Sequence, residues 1–254
     1  MKNLLFILII LLLTGCATIQ IMSTKSTSCE IVDNVYSYEK DSVKITYDFW
    51  SNYGVMRFAI LNNSNSPIYI NWKNSSFILN GTKYDYWIDV ENTKTEALTA
   101  GYSYRGRYGW GAGASATSAE SVTVKLEKIT FIPPKSKYTK KTFNVTDTYY
   151  RFPKDLKAQQ EPLSDSKKGK AMVYSQEFDD TNTPLTFRNY IAISKTEDGN
   201  SFSFIDNGFY LKSIRDMSLR HFHGKATKAT NDEYPKREKN KMSFYVDSGR
   251  IGLY

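Results

Sequence analysis

Apolar and polar residues alternate with a period of two along much of the chain. In Val43-Lys44-Ile45-Thr46-Tyr47-Asp48-Phe49 the apolar side chains take one face, and Lys44, Thr46 and Asp48 take the other. Such alternation predicts a half-buried strand. Met56, Phe58 and Ile60 repeat it, and so do Ile68, Ile70 and Trp72. Turn residues stand between these runs. They are Ser51-Asn52-Tyr53-Gly54, the loop from Asn62 to Pro67, and Asn80-Gly81 inside FILNGTKY, a pair that tolerates the positive φ of a tight hairpin turn. Further strands are predicted in SVTVKLEKITFI, which Pro133-Pro134 ends, and in the basic SKYTKKTFNV. AMVYSQEF, LTFRNYIAI, SFSFI and FYLKSI follow, with Asp198-Gly199-Asn200 and Asp206-Asn207-Gly208 read as turns. Many short strands with turn residues between them predict an all-β fold, an immunoglobulin-like or related β-sandwich.

Three stretches break the rhythm. Residues 91–121 form an insertion rich in Gly, Ser and Tyr, centred on GYSYRGRYGWGAGASATSAES. It carries Tyr102, Tyr104, Tyr108 and Trp110, with Arg105 and Arg107 interleaved. Long loops are often functional, and aromatic side chains give contact area at low entropic cost, which suits a glycan or a protein partner. Lys154 to Lys170 is polar and lysine-rich, and reads as a linker or exposed crossover. Residues 220–254 form a basic C-terminal segment, of which 222–242 has few apolar residues and is expected to be poorly ordered or a long basic loop. The strands after Lys170 are expected to complete the same sandwich, since a half-built one would expose its edges.

The one long apolar run is at the N-terminus. Leu4 to Leu13 is uninterrupted, follows Lys2, and is far shorter than the about 20 residues that span a bilayer. A charged start and a short apolar core describe a secretory signal. The run ends Leu13-Thr14-Gly15-Cys16, which resembles the lipobox of bacterial lipoproteins. The resemblance implies cleavage before Cys16, a diacylglycerol on its sulfur and an acyl chain on its new amine. Several chains together give stable anchoring. Ala17 rather than Asp follows, which implies the outer membrane, and the absence of a nearby acidic cluster favours its periplasmic face. The expected organisation is a signal peptide at 1–15, a lipidated tether at 16–30, a sandwich at 31–219 and the basic segment at 220–254. The tether reading rests on small polar residues with no apolar period.

Composition narrows the chemistry. Nineteen tyrosines favour strands. With Cys16 committed to lipid, Cys29 is left alone, so the fold must hold by burial. Loss of residues 1–15 removes Lys2 only, leaving 33 basic residues against 26 acidic ones, a net charge of +7. That field suits anionic envelope polymers; an exported, anchored protein rarely meets nucleic acid, which is not expected as a partner. His221 and His223 are the only histidines and could share one face of a strand, yet no third ligand stands at a motif spacing, so no metal is expected. No nucleophile elbow or phosphate-cradling loop is present, and GWGAG at 109–113 lacks the strand-to-helix context of a dinucleotide site. Asp85, Asp89 and Glu91 could supply a glycosidase-type pair only by chance proximity. No catalytic residues and no cofactor are expected.

VMRFAILNNSNSPIYINWKNSSFILNG, the Ser/Gly/Tyr insertion and ITFIPPKSK together resemble a group of uncharacterised lipoproteins of Bacteroidetes-type bacteria, over roughly residues 43–214. The resemblance implies an immunoglobulin-like sandwich and brings no catalytic residues. The expected role is a non-catalytic binding or structural module of the cell envelope, attached to the membrane through Cys16, with an envelope protein or glycan as partner. The alternatives are a surface adhesin or glycan-binding protein using Tyr102–Trp110, and a hydrolase with an unrecognised carboxylate site.

Overall fold

The computed structural model describes residues 18–87, 127–162, 170–198, 201–223 and 239–247. These residues form an all-β sandwich of two antiparallel sheets. In chain order the strands are β1 (Thr18–Ser26), β2 (Glu30–Val32), β3 (Val35–Lys40), β4 (Val43–Tyr47), β5 (Val55–Asn62), β6 (Ile68–Leu79), β7 (Thr82–Asp85) and β8 (Ile129–Ile132). They continue as β9 (Ser136–Asn144), β10 (Gln159–Pro162), β11 (Lys170–Glu177), β12 (Thr186–Ser194), β13 (Phe202–Ser218) and β14 (Ser243–Asp247). One short helix, α1 (Leu219–His223), follows β13.

The smaller sheet runs β2-β3-β4-β5-β9. Its last strand carries Lys137 and Lys141 outward, charges that discourage edge-to-edge pairing. The larger sheet is organised around the 17-residue β13. The first half of β13 pairs with β12, which pairs with β6, flanked by β7 and β8. Its second half pairs with β11 and with β1, and β1 pairs in turn with β14. Between the sheets lie Tyr47, Phe49, Phe58, Trp72, Phe77, Phe187 and Phe209, all buried. Phe49, Phe187 and Phe209 meet with ring centroids 5.1–5.2 Å apart, within the range of favourable aromatic pairs.

The turns expected at Ser51–Gly54 and Asn80-Gly81 are present. Asn80 and Gly81 take φ of 47° and 80° between β6 and β7, and Tyr53 and Gly54 are also left-handed. A Cβ on Gly54 would lie 2.7 Å from the Phe244 ring, so this position needs glycine for space as well as for φ.

Three expectations are corrected. The tether at 16–30 is not a tether over Thr18–Ser26, which form β1, paired on both sides. Ile19 and Ile21 face a second apolar cluster with Val173, Met217 and Phe222, while Met22 faces the main core. Both faces of β1 are covered, so no period marks it, and its Ser and Thr residues suit a strand. The Asp206-Asn207-Gly208 turn is the interior of β13. Asn207 is buried and accepts a hydrogen bond from Tyr47 Oη at 2.7 Å, Asp206 pairs with Arg188, and Gly208 leaves room for Thr27 Oγ1, which a Cβ would meet at 2.6 Å. The sandwich also extends past 31–219, because Ser243–Asp247 in the basic segment form β14, with Phe244 and Val246 buried in the main core.

A chain starting at Cys29 is expected to lose cooperative urea unfolding. Burial of Ile19, Ile21 and Met22 at about 1.5–3 kcal/mol each is comparable with the net stability of a domain. An unchanged unfolding midpoint would restore the tether reading.

Candidate functional site

The two faces of the larger sheet are filled differently. On the inner face of β12, Phe187, Asn189, Ile191 and Ile193 point to the core, so Arg188, Tyr190, Ala192 and Ser194 point out. Antiparallel pairing carries this choice to the neighbouring strands, because residues directly opposite share a face. One outward row is Phe131, Tyr69, Ser194 and Phe202, and the next is Ile129, Asn71, Ala192 and Phe204. A third holds Asp85, Ser76, Tyr190 and Asp206.

Aromatic rings collect across these rows. Tyr190 and Phe204 stack with centroids 4.6 Å apart, and Phe202 meets Phe204 edge-on at 5.1 Å. Across the sheet Tyr69 and Phe131 form a second pair at 5.6 Å. Between the pairs the floor is small and buried, made by Ala192 and Ser194. Phe131 and Phe204 are 54 % and 42 % exposed. The polar border has two ion pairs, Arg188 with both carboxylate oxygens of Asp206, and Lys83 with Asp85 at 2.6 Å. Apolar rings thus flank a small buried floor, with charges at the border.

Among the described residues, buried polar side-chain atoms elsewhere have hydrogen-bond partners, except His221 Nδ1. Tyr86 Oη donates to Asn189 Oδ1 at 2.7 Å, Asn189 Nδ2 donates to Tyr47 Oη at 3.1 Å, and Tyr47 donates to Asn207. This chain crosses from one sheet to the other, and burial pushes the hydroxyls of Tyr47 and Tyr86 far up from their ordinary range. Near the start of β1, the Gln20 amide donates to Tyr150 O at 2.7 Å and accepts from Tyr150 N at 2.8 Å. Tyr149 Oη donates to Asp216, and burial raises both the Asp216 carboxyl and the Tyr149 hydroxyl. Lys140 stands 4.1 Å over the Trp72 ring, and burial lowers its ammonium.

The residues singled out from the sequence fare unevenly. Cys16 and the binding candidates Tyr102, Tyr104, Arg105, Arg107, Tyr108 and Trp110 lie outside the described residues, as do Asp89 and Glu91. Asp85 pairs with Lys83. His221 is buried on α1, with Nε2 3.8 Å from Glu161, which also holds Arg215. No group of three metal-ligating side chains occurs among the described residues. Burial raises the Cys29 thiol, which favours the unreactive protonated form. Among the described residues no helix is long and apolar enough to cross a membrane. The aromatic face itself went unread in the sequence. Its signal was present in SFSFI, where Phe202 and Phe204 share a face opposite Ser203 and Ile205.

No family model, no curated protein and no solved structure matches this chain. The fold and the site define an all-β sandwich with an outward aromatic sheet face.

Phe131→Ala and Phe204→Ala are each expected to change stability by about 1 kcal/mol or less, because the rings are half-exposed. Phe187→Ala in the core should cost about 3–5 kcal/mol. Equal losses in urea unfolding would show the outer rings to be core. For Asp216 the folded carboxyl titrates above its unfolded value, so the folded form holds the proton more tightly. Its contribution is full below the ordinary carboxylate range and is lost as pH rises from about 4 through the raised folded value. Asp216→Asn is expected to remove that downward slope from stability measured against pH, and an unchanged slope would contradict the assignment.

Proposed function

We propose that the chain is a lipid-anchored, non-catalytic binding module of the bacterial cell envelope. It is held at the outer membrane through Cys16, faces the periplasm, and offers its aromatic sheet face to an envelope protein or glycan. The observation that carries the binding role is the pair of aromatic groups, Tyr190-Phe202-Phe204 and Tyr69-Phe131, left partly exposed on an outward sheet face. Rings of this kind give large contact area with few torsions to fix. The anchor rests on Leu13-Thr14-Gly15-Cys16 at the end of a short apolar run, and the resemblance to Bacteroidetes-type lipoproteins accords with it. A glycan as the ligand is favoured by the Phe204 ring, 42 % exposed on the outward face and backed by the stacked ring of Tyr190, which offers an aromatic surface to a sugar ring.

Two measurements test this reading. Cys16→Ser is expected to leave a folded domain that no longer sediments with membranes; retention in the membrane fraction would refute the anchor. A photo-crosslinking residue at Phe204 is expected to capture an envelope component in native membranes, with no adduct from the same residue at Thr139 on the other sheet. Adducts of equal yield at both positions would remove the aromatic face as the binding surface.

A further inference from the structure

The start of β1 fixes where an anchor can be. Only Ala17 separates Cys16 from Thr18, so the two Cα atoms can be at most about 7 Å apart. β1 cannot peel away to lengthen this connection. Thr18 to Ser26 pair with β13 on one side, and Ile19 to Ser23 pair with β14 on the other. Releasing β1 would also uncover Ile19, Ile21 and Met22.

The register shows which end of the sandwich this is. Thr18 lies opposite Ser218 at the end of β13, and Ile19 lies opposite Asp247 at the end of β14. β11 begins here too, with Lys170 opposite Pro162, two residues before the level of Ser218. The β4–β5 connection joins the same end, since Asn52 bridges to Tyr245 and its side chain accepts from Asp247 N. Trp50, Phe222 and Tyr245 pack together beside it, with centroids 5.4–6.2 Å apart. Trp and Tyr, part apolar and part polar, suit a headgroup layer. The aromatic face is at the other end of β13. The 14 steps from Phe204 to Ser218 correspond to at most about 48 Å of strand.

We infer that the sandwich stands upright on the bilayer. The end where β1 starts and β13 finishes is seated on the phospholipid headgroups, and β13 carries the aromatic face away from the membrane. This rests on the acylation of Cys16. The binding face then meets partners well out in the envelope space, and components lying flat on the same bilayer cannot reach it.

The test uses the full-length chain, processed and acylated in a bacterial host and reconstituted into phosphatidylethanolamine/phosphatidylglycerol vesicles with a headgroup-attached quencher. In a Cys29→Ser background, one fluorophore is placed at Lys170→Cys, at the seated end, or at Glu197→Cys, in the β12–β13 hairpin. Quenching at position 170 is expected to be several-fold stronger than at 197. Equal quenching on vesicle-bound chain with acylated Cys16 would overturn the upright posture and leave the anchor standing. Unbound chain with a free Cys16 thiol by mass spectrometry would overturn the anchor, and the posture with it. Inserting about 20 Gly/Ser residues between Ala17 and Thr18 is expected to reduce the contrast, since a linker of that length reaches about 25 Å on average. Full contrast in that variant would contradict a posture set by the short connection.

Discussion

The structure depends on the pairing of β1 between β13 and β14. Thr18–Ser26 come first in the described chain, and β14 comes last, yet the two lie side by side. The strand that joins them to the rest, β13, also carries β12 and β11. Removing β1 would strand β14 and uncover the cluster of Ile19, Ile21, Val173, Met217 and Phe222. Closing the N- and C-terminal strands into one sheet costs loop entropy, but that cost grows only slowly with the length of chain between them.

The two sheets are joined by apolar packing, by a buried polar chain, and by single hydrogen bonds such as Tyr36 Oη donating to Thr24 O at 2.7 Å. Tyr86, Asn189, Tyr47 and Asn207 pass hydrogen bonds between elements far apart in sequence. Each group is buried, so losing a partner leaves an unsatisfied polar atom at a cost of about 1–3 kcal/mol. Sliding β13 by one residue would turn Asn207 outward and Asp206 inward, so the network fixes register as well as contributing stability. Cys29 is the one cysteine among the described residues and is free, so no disulfide contributes there.

Strands covered on one face were legible in the sequence. β4 alternates cleanly, β5 puts Met56, Phe58 and Ile60 on one face, the first half of β6 does the same with Ile68, Ile70 and Trp72, and Asn80-Gly81 marked its hairpin. The failures have separate physical causes. β1 is buried on both faces, which erases the period of two. Asp206-Asn207-Gly208 has the composition of a turn, but each residue answers a tertiary demand: an ion pair with Arg188, a hydrogen bond from Tyr47, and space for Thr27. β14 is five residues long and follows a basic stretch, so local composition hid it. The aromatic face was hidden for a different reason. Alternation says that two faces exist, and with phenylalanine on one and isoleucine on the other it does not say which faces solvent.

These features give the fold a base and a far end, with the start of β1 at one and the aromatic rings at the other. Everything about that arrangement requires β1 to be an integral inner strand. Amide hydrogen exchange measures this directly. The amides of Ile19 to Thr24 are predicted to exchange only through global unfolding, at the rates of β13. Exchange of that segment at the rates of an unstructured chain would contradict the account.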